Sequence, residues 1–297
     1  MTFMSLSSGH EIPAVGLGTG SIKLTEMDEA IANALEVGYR HFDTAFRYKN
    51  EAAIGAALKK WFQKGGKRED LFITSKLPQY GNQPERVERY LKKSLSDLGL
   101  EHVDMYLIHA PFGTKEKADF TEAEDDGNIF ESVDHVAVWK KMEEQVTAGR
   151  AKSIGLSNFN QSQILNITIM LRSSPQNELR NFCKKYNIVM TAYSPLGSPS
   201  ARSKLHQGTP KDLQSLTDLP EVKDLAQKYN KTAGQILLRH SVQAGLVNIE
   251  VFDFTLSEED FEKIKGLDKG EKGRVFDFLK FYKGLDKNPL YPFPIVA

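Results

Sequence analysis

Apolar positions along the chain follow two rhythms: short unbroken runs, and stripes that recur every three or four residues. The runs read as buried strands. They are AVGLG at 14–18, YRHFD at 39–43, LFITSKL at 71–77, VDMYLIHAP at 103–111, KSIGLSNF at 152–159 and IVMTAYSPLG at 188–197, with a last candidate, GLVNIEVF, at 245–252. The stripes between them predict helices. Ile31 and Leu35 follow a Thr25/Asp28 pair spaced like a capping box. Ile54, Leu58, Trp61 and Phe62 share one side of a segment that Asn50 would cap and Gly65-Gly66 would stop. Pro84 suits a first helical position ahead of Val87, Leu91, Leu95 and Leu98, with Gly99 as terminator.

Strand-then-helix repetition predicts an α/β protein with a parallel sheet, and no linker or low-complexity stretch divides residues 1–297, so one domain is expected. An open dinucleotide-binding sheet would carry G-x-G-x-x-G at its first strand–helix turn. VGLGTGSIK has Gly16, Gly18 and Gly20, but Lys23 stands where the third glycine belongs, and a permissive turn explains the glycines as well. Polar residues at strand ends favour a closed (β/α)8 barrel. Asp43, Lys76, His109, Ser157-Asn158 and Tyr193-Ser194 each end a different run, and barrel enzymes carry their chemistry on that rim.

Composition narrows the class. Thirty-nine basic residues balance 39 acidic ones, so neither nucleic acid nor an anionic membrane is an expected partner. No apolar run reaches the roughly 18 residues of a membrane span, and MTFMSLSSGHEIP lacks the pattern of a signal peptide. One cysteine, Cys183, allows no internal disulfide and points to the cytoplasm. The charged stretch KEKADFTEAEDDGN at 115–128 reads as a solvated loop.

Taken singly, the rim residues have bland readings. Asp43 suits a helix cap, Tyr48 a half-buried packing residue, and His109 a satisfied core histidine. Lys76 is odder, because a lysine ending a buried strand requires a carboxylate partner. Convergence of all four on one rim is hard to assign to packing. His41, Asp43 and His109 could imitate a metal site, but the later strand ends offer only Ser157, Asn158, Tyr193 and Ser194, which are poor ligands, so no metal is expected.

The blocks GLGT, GYRHFDTAFRYKNE, FITSKL, DMYLIHAP, GRAKSIGLSNF and TAYSPLGSP closely resemble the aldo-keto reductases, especially the aldose-reductase-like group, from about Ile12 to Phe254. The resemblance implies a (β/α)8 barrel that binds NADP(H) across its C-terminal rim and reduces aldehyde or ketone carbonyls. Motif by motif, Asp43, Tyr48, Lys76 and His109 fall on the family's catalytic tetrad. Tyr48 would donate the proton, with Lys76 lowering its pKa from about 10. Asp43 would hold Lys76, and His109 would orient the carbonyl oxygen. Gly18, Thr19, Asp43, Ser157, Asn158, Tyr193, Ser194, Leu196 and Ser198 would face the cofactor. A monomeric, cytoplasmic enzyme is expected.

Two stretches depart from the family pattern. LRSSPQNEL runs one helical signal into the next where a strand bearing a glutamine is expected. After AGLV the basic segment that holds the 2′-phosphate is absent, leaving Asn248 as a remnant. The barrel is therefore expected to be irregular near strands 6 and 8, with ILNITIML at 164–171 either recruited as a replacement strand or left helical. The alternative function is a cofactor-impaired or non-catalytic binding protein derived from such an enzyme. Small or non-aromatic residues at Gly20, Pro78 and Ala110 suggest a widened substrate pocket.

Overall fold

A computed structural model describes residues 3–124, 128–169, 183, 185–191, 193–196, 215–243, 253–267 and 278–293. The chain opens with a hairpin, β1 (Phe3–Ser5) against β2 (Glu11–Pro13). Then come β3 (Leu17–Gly18), β4 (His41–Asp43), β5 (Phe72–Leu77) and β6 (Val103–Ile108). Two small ribbons follow, β7 (Gly113–Thr114) with β10 (Phe130–Glu131), and β8 (Glu116–Lys117) with β9 (Thr121–Glu122). β11 (Ala151–Leu156) completes a five-stranded parallel sheet in the order β3-β4-β5-β6-β11.

Order in that sheet follows order in the chain, without the reversal that puts helices on both faces of a doubly wound sheet. The helices α1 (Met27–Glu36), α2 (Glu51–Gln63), α3 (Val87–Leu98) and α4 (His135–Thr147) accordingly share one face. Ile31, Leu58, Leu91 and Met142 from these helices join one apolar cluster with Phe42, Ile73, Tyr106 and Ile108 of the strands. Side chains alternate along a strand, so Phe72, Met105 and Leu107 face the other way, where Met4, Leu6 and Ile12 pack on them. The parity that buries Phe72 and Met105 also places Asp43, Lys76 and His109 on this inner face. The strands end there on polar groups because apolar layers already fill the lower part.

Several local expectations change. The Thr25/Asp28 capping box does not form. A 3₁₀ turn, Leu24–Glu26, leads into α1 with no side-chain cap. Asn50 occupies the cap position of α2 but spends its side chain elsewhere. Gly99 ends α3 in the left-handed region (φ 67°), as its placement predicted. The stretch at 115–128 is only partly a solvated loop where it is described: Glu124 is exposed and pairs locally with Lys117, but two other acids find partners far away in sequence. Glu116 bonds Arg89 and Tyr90, and Glu122 bonds Arg47. Composition alone carries no information about such distant partners.

The Ile/Thr-rich run that precedes the first family departure is helical as far as it is described: α5 spans Gln161–Ile169. Asn160 and Gln163 exchange side-chain-to-backbone bonds (2.9 and 3.0 Å), a reciprocal cap that outweighs the strand preference of the Ile/Thr-rich run. The expected strand at 188–197 is not formed at 188–191 or 193–196, since apolar pattern alone does not supply a pairing neighbour. Residues 170–182 and 244–252, which carry both departures and the last strand candidate, lie outside the described residues. Later helices α6 (Pro220–Tyr229), α7 (Ala233–Ser241) and α8 (Glu258–Lys265) pack on one another through Val222, Ile236 and Ile264.

Candidate active site

Asp43, the last residue of β4, fixes the first corner. Its backbone oxygen accepts from the amide (2.9 Å) and hydroxyl (3.1 Å) of Thr19, which ties the loop after β3 to this strand end. The chain then extends through Ala45 and tightens into a 3₁₀ turn, Phe46–Tyr48, closed by Lys49 in the left-handed region (φ 56°). Phe46 anchors the turn edge-on against Tyr90, 4.9 Å between ring centroids. Asn50 donates to the Thr19 carbonyl at 2.9 Å and accepts from Thr44 Oγ1 at 3.2 Å. The residue read as a cap is therefore a brace between two rim loops, and Tyr48 stands between them.

Lys76 sits two residues above Thr74 on β5 and is 5% exposed. Its ammonium pairs with Asp43 and donates to the Thr44 carbonyl at 2.8 Å. It also lies 5.2 Å from the centre of the Tyr48 ring. Burial disfavours the cation, but Asp43 and Tyr48 outweigh that and raise the Lys76 pKa above its ordinary value. His109 follows β6 and meets Tyr48 edge-on at 5.6 Å. Burial, then the charges of Lys76 and Arg47, hold its pKa well below the ordinary value, so the ring is neutral near pH 7. Its Nδ1 has no partner among the described residues.

Tyr48 corrects one expectation. Burial raises its pKa above the ordinary 10, and the opposing charge of Lys76 only reduces that rise. Desolvation wins because the phenolate would be half-buried, while Lys76 is already compensated by Asp43. Gly20 explains how the ring is seated. A methyl group there would lie 3.1 Å from Tyr48 Cζ, so the missing side chain makes room for the phenol rather than for a wider pocket. Ala110 is likewise covered, by Phe112, Phe278 and Tyr282.

On the opposite side, Ser157 and Asn158 follow β11. Asn158 (φ 64°) donates to the His109 carbonyl at 2.7 Å and to Ser157 Oγ at 3.0 Å, and accepts from the Tyr193 hydroxyl at 3.0 Å. Tyr193 is thereby fixed by its hydroxyl while its ring stays 56% exposed. Among the described residues nothing lies within 4 Å of where a Gly18 side chain would be. An exposed, tethered aromatic face, open backbone at Gly18 and the second lone pair of Asn158 Oδ1 suit a flat ring bearing a carboxamide. Ser194 (φ 51°) is exposed beside Tyr193. Leu196 instead packs with the later helices around Val222, and no contact among the described residues brings it to the four. Ser198 and Asn248 lie outside the described residues.

Sequence reasoning missed Thr44, Arg47 and the bracing role of Asn50. Their nearness to Tyr48 in the chain was the only available signal.

Comparison with known proteins gives this geometry a lineage. The sequence model of the Aldo/keto reductase family matches residues 14–269. Aldo-keto reductase family 1 member A1 of Gallus gallus is 40% identical, over 90% of this chain and 89% of its own. Prostaglandin F synthase 1 of Bos taurus is 36% identical over 98% and 97%. Among solved structures, an aldose reductase from Schistosoma japonicum superposes with a TM-score of 0.83 at 34% identity, covering 99% of both chains. The alignment to the member A1 enzyme of Xenopus tropicalis runs over 322 positions, more than the 297 residues here, so that relative carries residues this chain lacks. The chain belongs to the aldo/keto reductase family, an oxidoreductase on that family's (β/α)8 barrel.

Proposed function

We propose that this protein reduces an aldehyde or ketone to an alcohol with NADP(H), using Asp43, Tyr48, Lys76 and His109, and works as a single-domain cytoplasmic monomer. When bound, the cofactor supplies a hydride to the carbonyl carbon. Tyr193, Ser157, Asn158 and Gly18 would hold its nicotinamide end. The chain's own task is to receive the carbonyl oxygen and protonate it. His109, neutral and with hydrogen-bonding capacity unspent, orients that oxygen toward the Tyr48 hydroxyl. Tyr48 gives up its proton as charge develops on the oxygen, and the Lys76 cation stabilises the phenolate left behind. Asp43 and the Thr44 carbonyl keep that cation in place.

The observation that carries this reading is the buried Asp43–Lys76 pair set against the Tyr48 ring, with the His109 ring edge-on to the same phenol. A structural ion pair would not require a tyrosine and a neutral histidine beside it. Steady-state reduction of a small aldehyde with NADPH, by the native chain and by Tyr48→Phe, tests it. Turnover that survives in Tyr48→Phe would remove the assignment.

A further inference from the structure

Arg47 is the charged group beside these residues that the reaction leaves unused. It precedes Tyr48 in the same turn, and its guanidinium lies 5.3 Å from the centre of the Tyr282 ring. Nη1 donates to Glu122 Oε2 at 2.7 Å. The other oxygen of Glu122 accepts from Thr114 Oγ1 at 2.6 Å and from the Tyr282 hydroxyl at 2.9 Å. Four segments meet there: the Tyr48 turn, the two ribbons after β6 and the C-terminal stretch.

The balance of donors and acceptors at this junction is lopsided. A guanidinium carries five N–H donors in a rigid fork. Among the described residues Arg47 uses one of them, and its side chain stays 32% exposed. Glu122 is 20% exposed and has both oxygens occupied. Asp43 is committed to Lys76. The two ion pairs balance in charge, so what Arg47 keeps to spare is N–H donors, and its cation is near enough to act on His109, where the carbonyl oxygen would sit. Phe112 packs edge-on to Tyr282 at 5.2 Å, giving the same region an apolar wall.

We propose that Arg47 is a specificity-determining residue that binds a carboxylate on the substrate, so that the favoured carbonyl compounds carry a negative charge close to the reacting group. The inference rests on the reductase reading above. Glu122 holds the fork in place and moderates its charge, leaving the free edge for the bidentate geometry that carboxylates prefer.

The test compares 3-carboxybenzaldehyde with 3-formylbenzamide, alike in size and different in charge, in the native chain, Arg47→Met, Arg47→Lys and Glu122→Gln, each checked by melting temperature. The kcat/KM ratio should favour the acid by about ten-fold in the native chain, as expected for one charge-assisted hydrogen bond. The preference should reside in KM and shrink with salt. It should fall close to one in Arg47→Met, stay intermediate in Arg47→Lys, where charge remains without the fork, and rise in Glu122→Gln. A native ratio near one, or a preference that survives Arg47→Met, overturns the proposal. If Arg47→Met does not fold, Glu122→Gln decides: a ratio that fails to rise overturns it. Turnover of neither aldehyde removes the reductase reading and this inference together, whereas equal turnover of both removes the inference alone.

Discussion

Replacing Gly20 by alanine separates the placement of Tyr48 from its chemistry. The added methyl would lie 3.1, 3.2 and 3.4 Å from Cζ, Cε2 and Cε1 of the ring. Relaxed carbon contacts are about 3.5–4.0 Å, so the ring must withdraw by about half an ångström. The backbone accepts the change, since Gly20 is not among the residues with positive φ, and the position is exposed. Stability should therefore barely move. Reacting groups must be held to within about 0.5 Å, and an ångström of misplacement costs about a hundred-fold in rate. The expected loss in kcat is about ten-fold at this displacement. Turnover of a small aldehyde at saturating NADPH measures it, with melting temperature and NADPH affinity as controls. Native kcat in a folded Gly20→Ala variant would refute the claim that this space belongs to the phenol.

Tyr48→Phe should abolish carbonyl reduction with NADPH binding nearly unchanged, because it deletes the proton and keeps the ring; titration by fluorescence quenching checks the second half. With Tyr48 raised above its ordinary value and His109 held well below its own, kcat/KM for reduction should be flat from about pH 6 to 9 and fall only as the phenol ionises. Lys76→Met removes the charge that restrains Tyr48, so in alcohol oxidation, which requires phenolate, the activity limb should move to higher pH. NADPH should bind weakly with a reduced preference over NADH, since the sequence after Val247 lacks the basic segment; side-by-side titration showing strong, sub-micromolar NADPH preference would refute this. Asp104 is nearly buried, and although burial raises its pKa, Arg68, Lys152 and the Ile73 amide outweigh that and hold it below the carboxylate range. Its contribution is thus present above about pH 4 and lost as pH falls through the folded pKa, so Asp104→Asn should cost about 3 kcal/mol in urea unfolding at pH 7 and progressively less in acid.

Legibility of the chain varied with the range of the interactions involved. Runs from 14 to 159 were readable because the central strands β5 and β6 are buried on both faces, and their neighbours carry enough apolar residues to announce themselves by composition. Rim polarity at Asp43, Lys76 and His109 was readable because polar residues that end such runs break the pattern. Asn50 was misread because a cap and a brace use the same amide, and only the position of Thr19 distinguishes them. The acids at 116 and 122 were misread because their partners, Arg89 and Arg47, lie 27 and 75 residues away.

By itself the sequence determined the parallel strand–helix order, the inward parity that lines Asp43 up with Lys76, and the family. Those follow from local burial and from side chains alternating every second residue, which no distant contact can alter without unfolding the strand. Tertiary structure alone decided that α5 stays helical, since its reciprocal cap had to compete with strand pairing. It also decided that Tyr48 is a weaker acid than its lysine neighbour suggested. A pKa is set by the whole low-dielectric surroundings of a group, and those exist only once the turn carrying Tyr48 is folded against the strand ends.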